Sequence, residues 1–168
     1  NAYAIDLVKQ TVHMNAGTYL HDDDMVEVTP TDFCIGVAGY PEKHFEAPNM
    51  ISDLRHLKEK VDAGAQYVVT QMFYDNQKYF DFVKKCREMK INVPIIPGLK
   101  ILTAKSQVAL LPKIFYIDVP QDLLEAVEKC KTDAETKEAG IEWAIQQSKE
   151  LIKFGVPVLH FYTMGSSD

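Results

Sequence analysis

Ile35-Gly36-Val37-Ala38-Gly39-Tyr40-Pro41-Glu42-Lys43-His44 is the stretch on which the reading of this chain turns. An apolar run stops abruptly at Gly, Tyr, Pro and charged groups. It reads as a buried strand whose carboxyl end opens into a polar loop, and in α/β folds such loops hold the ligands. The pattern returns in Tyr67-Val68-Val69-Thr70-Gln71-Met72-Phe73-Tyr74-Asp75, then at Val93 to Pro97 and at Val156 to Tyr162. Amphipathic helical patterns separate the four runs. Buried strands alternating with helices make a parallel sheet.

Working outward, residues 2–14 read as a helix with Ala4, Leu7, Val8 and Thr11 on one face. The stretch from Asn15 to Pro30, with Asp22, Asp23 and Asp24, reads as a surface loop, and the first strand as Phe33 to Gly39. Asn49 is placed to cap a helix with Met50, Leu54, Leu57 and Val61 as its stripe and Gly64 at its end. A helix from Asn76 turns Tyr79, Phe82, Val83, Cys86 and Met89 inward. Two shorter helices are expected near Ala104–Leu111 and Gln121–Cys130. Thr132-Asp133-Ala134-Glu135 is a capping box opening a long helix with Ile141, Ala144, Ile145, Ser148, Leu151 and Ile152 inward, stopped by Gly155.

An eightfold barrel takes about 250 residues, so four strand–helix units amount to half of one. The expectation is a truncated (β/α)8 TIM barrel, with Val37, Val69, Ile95 and Leu159 facing inward. A flavodoxin-like open sheet is the alternative.

The chain has 168 residues, 46% hydrophobic and 25% charged, which is ordinary for a globular protein. Its net charge of −6 argues against nucleic acid or an anionic membrane surface as partner. There is neither a membrane-length apolar run nor a signal-peptide pattern, so the expectation is a cytoplasmic protein. Cys34, Cys86 and Cys130 are widely spaced and have no metal-type pattern; they read as reduced, mostly buried thiols.

Candidate chemistry collects at strand ends: Tyr40 and His44, Gln71 and Tyr74, Gly98 and Lys100, His160 and Tyr162. Tyrosine and histidine at such places also serve as half-buried packing groups. Gln71 lies inside an apolar strand, where its amide either bonds locally or reaches into a site. Asp53, His56 and Lys60 share one side of the first helix after the opening strand, beside Leu57, which alone also describes a solvated flank. No Walker sequence, Gly-rich phosphate fingerprint, zinc spacing or nucleophile elbow is present.

The words themselves are more specific than their periods. Ala38-Gly39-Tyr40-Pro41-Glu42-Lys43-His44, Lys60-Val61-Asp62-Ala63-Gly64-Ala65, Thr70-Gln71-Met72-Phe73-Tyr74-Asp75, Ile95-Ile96-Pro97-Gly98 and His160-Phe161-Tyr162-Thr163 occur in that order. The chain closely resembles the methylenetetrahydrofolate reductase family over almost its whole length. The match is to the carboxyl-terminal half of the catalytic barrel, so residues 1–168 are expected to form a single segment supplying the last four βα units.

The resemblance implies an FAD-dependent oxidoreductase that reduces 5,10-methylenetetrahydrofolate to 5-methyltetrahydrofolate with NADH or NADPH, in one-carbon metabolism and methionine synthesis. It implies that Tyr3 and Ala4 lie near the adenine, and that Ala38, Tyr40 and His44 lie along the flavin and its diphosphate. Asp53 and Lys60 match a ribose and phosphate clamp with His56 between them, and Tyr162 an aromatic beside the flavin. Gln71 matches the glutamine that serves folate and nicotinamide in turn, and Gln107 a second substrate glutamine. A homo-oligomer is expected of the full-length protein. The family's general-acid glutamate and its Arg-Gly-Asp segment fall upstream of this sequence, so no catalytic acid is expected in it and the segment alone is expected to be inactive. Gly165-Ser166 stands where many members carry Asn-Arg. Two rival readings remain: a non-catalytic flavin- or folate-binding half-barrel module, and an unrelated phosphate-binding barrel enzyme.

Overall fold

The computed structural model describes residues 3–18 and 29–163. In chain order the elements are α1 (Ala4–Asn15), β1 (Gly36–Gly39), α2 (Met50–Asp62), β2 (Tyr67–Met72), α3 (Asn76–Glu88), β3 (Ile95–Leu99), α4 (Gln107–Phe115), α5 (Gln121–Lys129), α6 (Asp133–Phe154) and β4 (His160–Phe161). The strands pair in the order β1-β2-β3-β4, every pair parallel. Sequential parallel order through right-handed crossovers puts the connecting helices on one face of the sheet. The α/β class and the parallel sheet are as expected, whereas closing a barrel takes strands beyond these four. The aspartates Asp22 to Asp24, and the Gly165-Ser166 departure, lie outside the described residues.

Local chemistry starts the helices where the sequence says. Asn49 Oδ1 accepts from Ser52 N at 2.9 Å, Asp75 Oδ1 from Gln77 N at 2.8 Å and Thr132 Oγ1 from Glu135 N at 3.2 Å. Each satisfies an amide that the first turn leaves free. Gly155 ends α6 at φ +95, a left-handed conformation suited to glycine.

The main core lies between the sheet and α2, α3 and α6. Leu54, Leu57, Val68, Phe73, Tyr79, Phe82, Ile95, Leu99 and Leu151 form it, and Val37 and Leu159 pack against it. This corrects the expected inward set, because Val37, Ile95 and Leu159 face the helices. Alternation along a strand then gives the opposite face to Ala38, Val69, Gln71, Ile96, His160 and Tyr162. A second cluster gathers Met72, Leu102, Leu111, Ile117, Leu123 and Val127 beneath α4 and α5.

Further expectations change, and β1 and β4 are shorter than the Phe33–Gly39 and Val156–Tyr162 read from the sequence. The third strand begins at Ile95 rather than Val93, because pairing to β2 opens with Val68 N donating to the Pro94 carbonyl at 2.9 Å. Of the cysteines, only Cys86 is buried; Cys130 is half-buried and Cys34, just before β1, is exposed.

Candidate functional site

The site is assembled at the carboxyl ends of β1 and β2 and along α2. The backbone loop after β1 carries Tyr40, Glu42, Lys43 and His44. Its main chain is tied to α2 where His44 N donates to Asp53 Oδ2 at 2.9 Å. One helical turn-pair further on, Lys60 Nζ donates to the Ala38 carbonyl at 3.0 Å. Asp53 and Lys60 thus grip the end of β1 from one side of α2, as their spacing predicted. Burial lowers the Lys60 pKa, and the Asp53 charge opposes that shift. His56 points elsewhere. It is exposed, with its Nδ1 3.3 Å from Glu59 Oε2.

Tyr40 packs edge-on to the His44 ring at a centroid distance of 4.6 Å. Its pKa is raised, first by burial and then by the Asp53 and Glu46 charges. The His44 Nδ1 faces the Glu46 amide at 3.3 Å and carboxylate at 3.8 Å, which leaves Nε2 as the outward nitrogen. Beyond it Phe45 stacks on Tyr116 at 4.8 Å.

Gln71 resolves into a mixed case. Its Oε1 accepts from the next residue, Met72 N, at 3.0 Å, in a stretch where the β2–β3 register shifts between Val69 and Met72. Among the described residues its amide nitrogen has no protein partner, so Gln71 offers donors rather than an acceptor to the recess that it shares with Tyr40, Glu42 and Tyr116. The same irregularity builds a knot around Gly98. Gly98 N donates to Thr70 Oγ1 at 2.9 Å, and Tyr162 OH donates to the Thr70 carbonyl at 2.8 Å. A β-carbon on Gly98 would lie 2.2 Å from that carbonyl and 2.6 Å from the Tyr162 ring, so only glycine fits. Tyr162 is thereby laid across the open face, with His160 edge-on at 4.6 Å. Burial and the neighbouring Tyr40 raise its pKa.

The remaining candidates are less concentrated. Gln107 starts α4 and holds Thr103, accepting from its N at 2.8 Å and donating to its Oγ1 at 3.2 Å. Tyr3 and Ala4 open α1 and are exposed. Val12 near the other end of α1 meets Gly64 at the foot of β2, while Val8 packs in the cluster joined by Val37 and Val61. The helix therefore climbs toward its first turn, on the side of the strands' carboxyl ends. Tyr74 is buried in the second cluster, away from the open site, and among the described residues no hydrogen bond or ion pair ties Lys100 to that site. A groove of about 890 Å³ between α3, α5 and α6 is lined by Tyr74 and by none of the other candidates.

Sequence reasoning missed Glu42 and Lys43 as organisers. Glu42 Oε2 accepts from Asp118 N at 3.0 Å, and burial pushes its carboxyl up to about 7. Nothing local announces this, because the partner lies far along the chain. Lys43 did carry a signal in the loop's charge density, but its fully inward use follows from backbone geometry. No group of three or more His, Cys, Asp or Glu among the described residues could hold a metal ion, and no helix among them is long and apolar enough to cross a membrane.

Comparison with known proteins agrees with the resemblance read from the motifs. Residues 3–168 match the family model for methylenetetrahydrofolate reductase. The chain is 40% identical over 134 residues to methylenetetrahydrofolate reductase 1 of Schizosaccharomyces pombe, covering 79% of this chain and 22% of that protein. It is 38% identical over 134 residues to the probable methylenetetrahydrofolate reductase (NADPH) of Caenorhabditis elegans, covering 79% and 20%. The chain thus spans about a fifth of the length of these relatives. A solved structure, an uncharacterized Clostridium thermocellum protein described as binding two copies of 5-methyl-5,6,7,8-tetrahydrofolic acid, superimposes with a TM-score of 0.57. At 21% identity, covering 77% of this chain and 46% of that one, it bears on the fold alone. Motifs, coverage and identity lead to one assignment: the chain belongs to the methylenetetrahydrofolate reductase family.

Proposed function

We propose that this chain is the carboxyl-terminal half of a TIM-barrel catalytic domain that reduces 5,10-methylenetetrahydrofolate to 5-methyltetrahydrofolate. The reductant is NADH or NADPH and the carrier is FAD. The observation that carries the reading is the grip of Lys60 and Asp53 on the end of β1, beside the donor face of Gln71. The folate-binding description of the Clostridium thermocellum neighbour is in keeping with it. Membership of the whole protein in one-carbon metabolism and methionine synthesis, its place in the cytoplasm and its assembly as a homo-oligomer belong to the same proposal.

The donor set fits an extended dinucleotide cofactor. Lys60 spends one N–H on Ala38 and has two left, and a half-buried ammonium is stabilised by an anion. Those donors suit a diphosphate, with the outward His44 Nε2 beside it. Asp53 uses Oδ2 on His44 N and keeps Oδ1 for a ribose hydroxyl. Tyr40, Ala38 and Tyr162 offer flat or small surfaces along a ring system, Tyr3 and Ala4 lie toward the adenine, and His56 is at most a peripheral contact. A bound flavin would supply the two-electron redox chemistry between nicotinamide and folate.

The protein's part is orientation. Because the Gln71 oxygen is engaged by Met72, its amide hydrogens meet a carbonyl, which both the nicotinamide carboxamide and the pterin ring possess. Gln107 closes on the substrate from α4 by giving up its hold on Thr103. The acid that opens the methylene bridge belongs, in this reading, to the other half of the barrel.

The test is to measure both half-reactions by stopped flow in the intact protein and its Gln71→Ala variant. The expected outcome is slower flavin reduction by nicotinamide and slower flavin oxidation by folate. Normal rates in both would return Gln71 to a purely structural role.

A further inference from the structure

We propose that Lys43 is a positioning residue, its ammonium gathering the carbonyls of the loop after β1 so that Tyr40 and His44 present themselves to the flavin. The inference rests on the reductase reading. Lys43 has φ +77, a left-handed conformation that a residue with a β-carbon keeps only where its surroundings hold it there. Those surroundings are its own loop. Lys43 Nζ donates to the carbonyl of Ala47 at 2.7 Å and to that of His44 at 2.8 Å, and the Phe45 carbonyl is 3.5 Å away.

An ammonium has three donors and no acceptor, so this set occupies it completely. Among the described residues no carboxylate pairs with Lys43. A surface lysine holding a phosphate would keep its donors outward; this one has turned them into the main chain. With the carbonyls drawn inward, the amides between them face the other way. His44 N meets Asp53 Oδ2 at 2.9 Å, and Glu46 N meets His44 Nδ1 at 3.3 Å. The second contact fixes which imidazole nitrogen faces out, and the ring so held is the one against which Tyr40 packs. One cation thus sets the direction of two side chains that it does not touch.

The experiment compares the intact protein with Lys43→Met and Lys43→Gly. The first keeps the stem and loses the ammonium, while the second loses it and also relieves the backbone. Three quantities are read: the FAD dissociation constant by fluorescence quenching, the visible circular dichroism of bound flavin, and the melting midpoint of the apoprotein. Both variants should bind FAD about tenfold more weakly with an altered dichroic band, the scale of one charge-assisted contact. The glycine variant should keep its apo melting midpoint, which covers the case in which the methionine variant folds poorly. Wild-type affinity in the glycine variant overturns the proposal, as does an affinity loss that merely tracks a fall in its midpoint. If all three proteins bind FAD equally, this inference alone fails. If the unaltered protein binds none, the reductase reading fails and takes this inference with it.

Discussion

A half-buried lysine with one carbonyl partner keeps two donors for a ligand, and this makes Lys60 the sharpest probe of the site. Lys60→Ala removes a charge-assisted contact of about 1.5–3 kcal/mol. FAD affinity, followed by fluorescence titration, should therefore fall roughly ten- to a hundredfold. Glu42 gives a pH prediction. Its ordinary value of 4.5 is raised to about 7 in the fold, chiefly by burial, so the neutral form is the one the fold favours. Stability from this group is complete below pH 4.5 and is lost as pH rises through about 7. The residue as a whole is only half-buried, so the effect is discounted to about 1 kcal/mol. Glu42→Gln should flatten the stability profile across that window and raise the melting midpoint at about pH 8; a midpoint that stays at or below the wild-type value there would sink the assignment. The two predictions differ in how far the sequence foretold them. Asp53 and Lys60 share one helix, so their common side follows from 3.6 residues per turn. Glu42 is held by Asp118 N, a contact that no local pattern encodes.

At the scale of elements, α6 separates what periodicity reveals from what packing decides. Its start at Thr132 and its stop at Gly155 were legible, since both are backbone-satisfaction problems with local solutions. Its rotation was not. Ile141, Ile145 and Ile152 were expected inward and are 37%, 46% and 63% exposed, whereas Thr136, Gly140, Ala144, Gln147 and Leu151 are buried. Polar members of the buried set are tolerated because they are bonded. Gln147 Nε2 donates to the Phe73 carbonyl at 2.9 Å, and Thr136 Oγ1 to the Thr132 carbonyl at 3.1 Å. Gly140 fixes the rotation by letting α6 touch the backbone at Leu102, where an added β-carbon would lie 2.1 Å from the carbonyl oxygen. Gly140→Ala therefore sets about 1 kcal/mol of helix propensity against an overpacking cost of about 1–3 kcal/mol or more. Backbone cannot swing aside as a side chain can, so the clash wins. Urea denaturation should show a net loss of stability, and a gain would mean that α6 does not sit against Leu102.

For the whole molecule, the sheet order carries the main consequence. Four parallel strands in sequence order, with α2, α3 and α6 packed on one face, leave β1 and β4 with free edges among the described residues. They also leave an uncovered face on which Ala38 and His160 are exposed and Val69, Ile96 and Tyr162 are half-buried. The edges carry apolar groups into water as well: Phe33 is 52% exposed, Val158 53% and Phe161 42%. The sequence pattern announced four strands and their direction, because each strand is a continuous apolar run ending in a polar loop. It assigned the faces wrongly at Val37, Ile95 and Leu159, because continuous apolar runs carry little alternation of residue type from which to tell one face from the other. Each large apolar side chain left in water forgoes roughly 1.5–3 kcal/mol, against a usual net stability of about 5–15 kcal/mol. Residues 1–168 produced alone should therefore self-associate through the open face and edges or collapse without a cooperative melt, and should lack reductase activity. Sedimentation velocity, dye binding to apolar surface and thermal unfolding would read this directly. A monomer with a sharp melt and little dye binding would mean that the exposed face costs less than these areas imply, and the architecture would then be an open sheet complete in itself rather than half of a closed barrel.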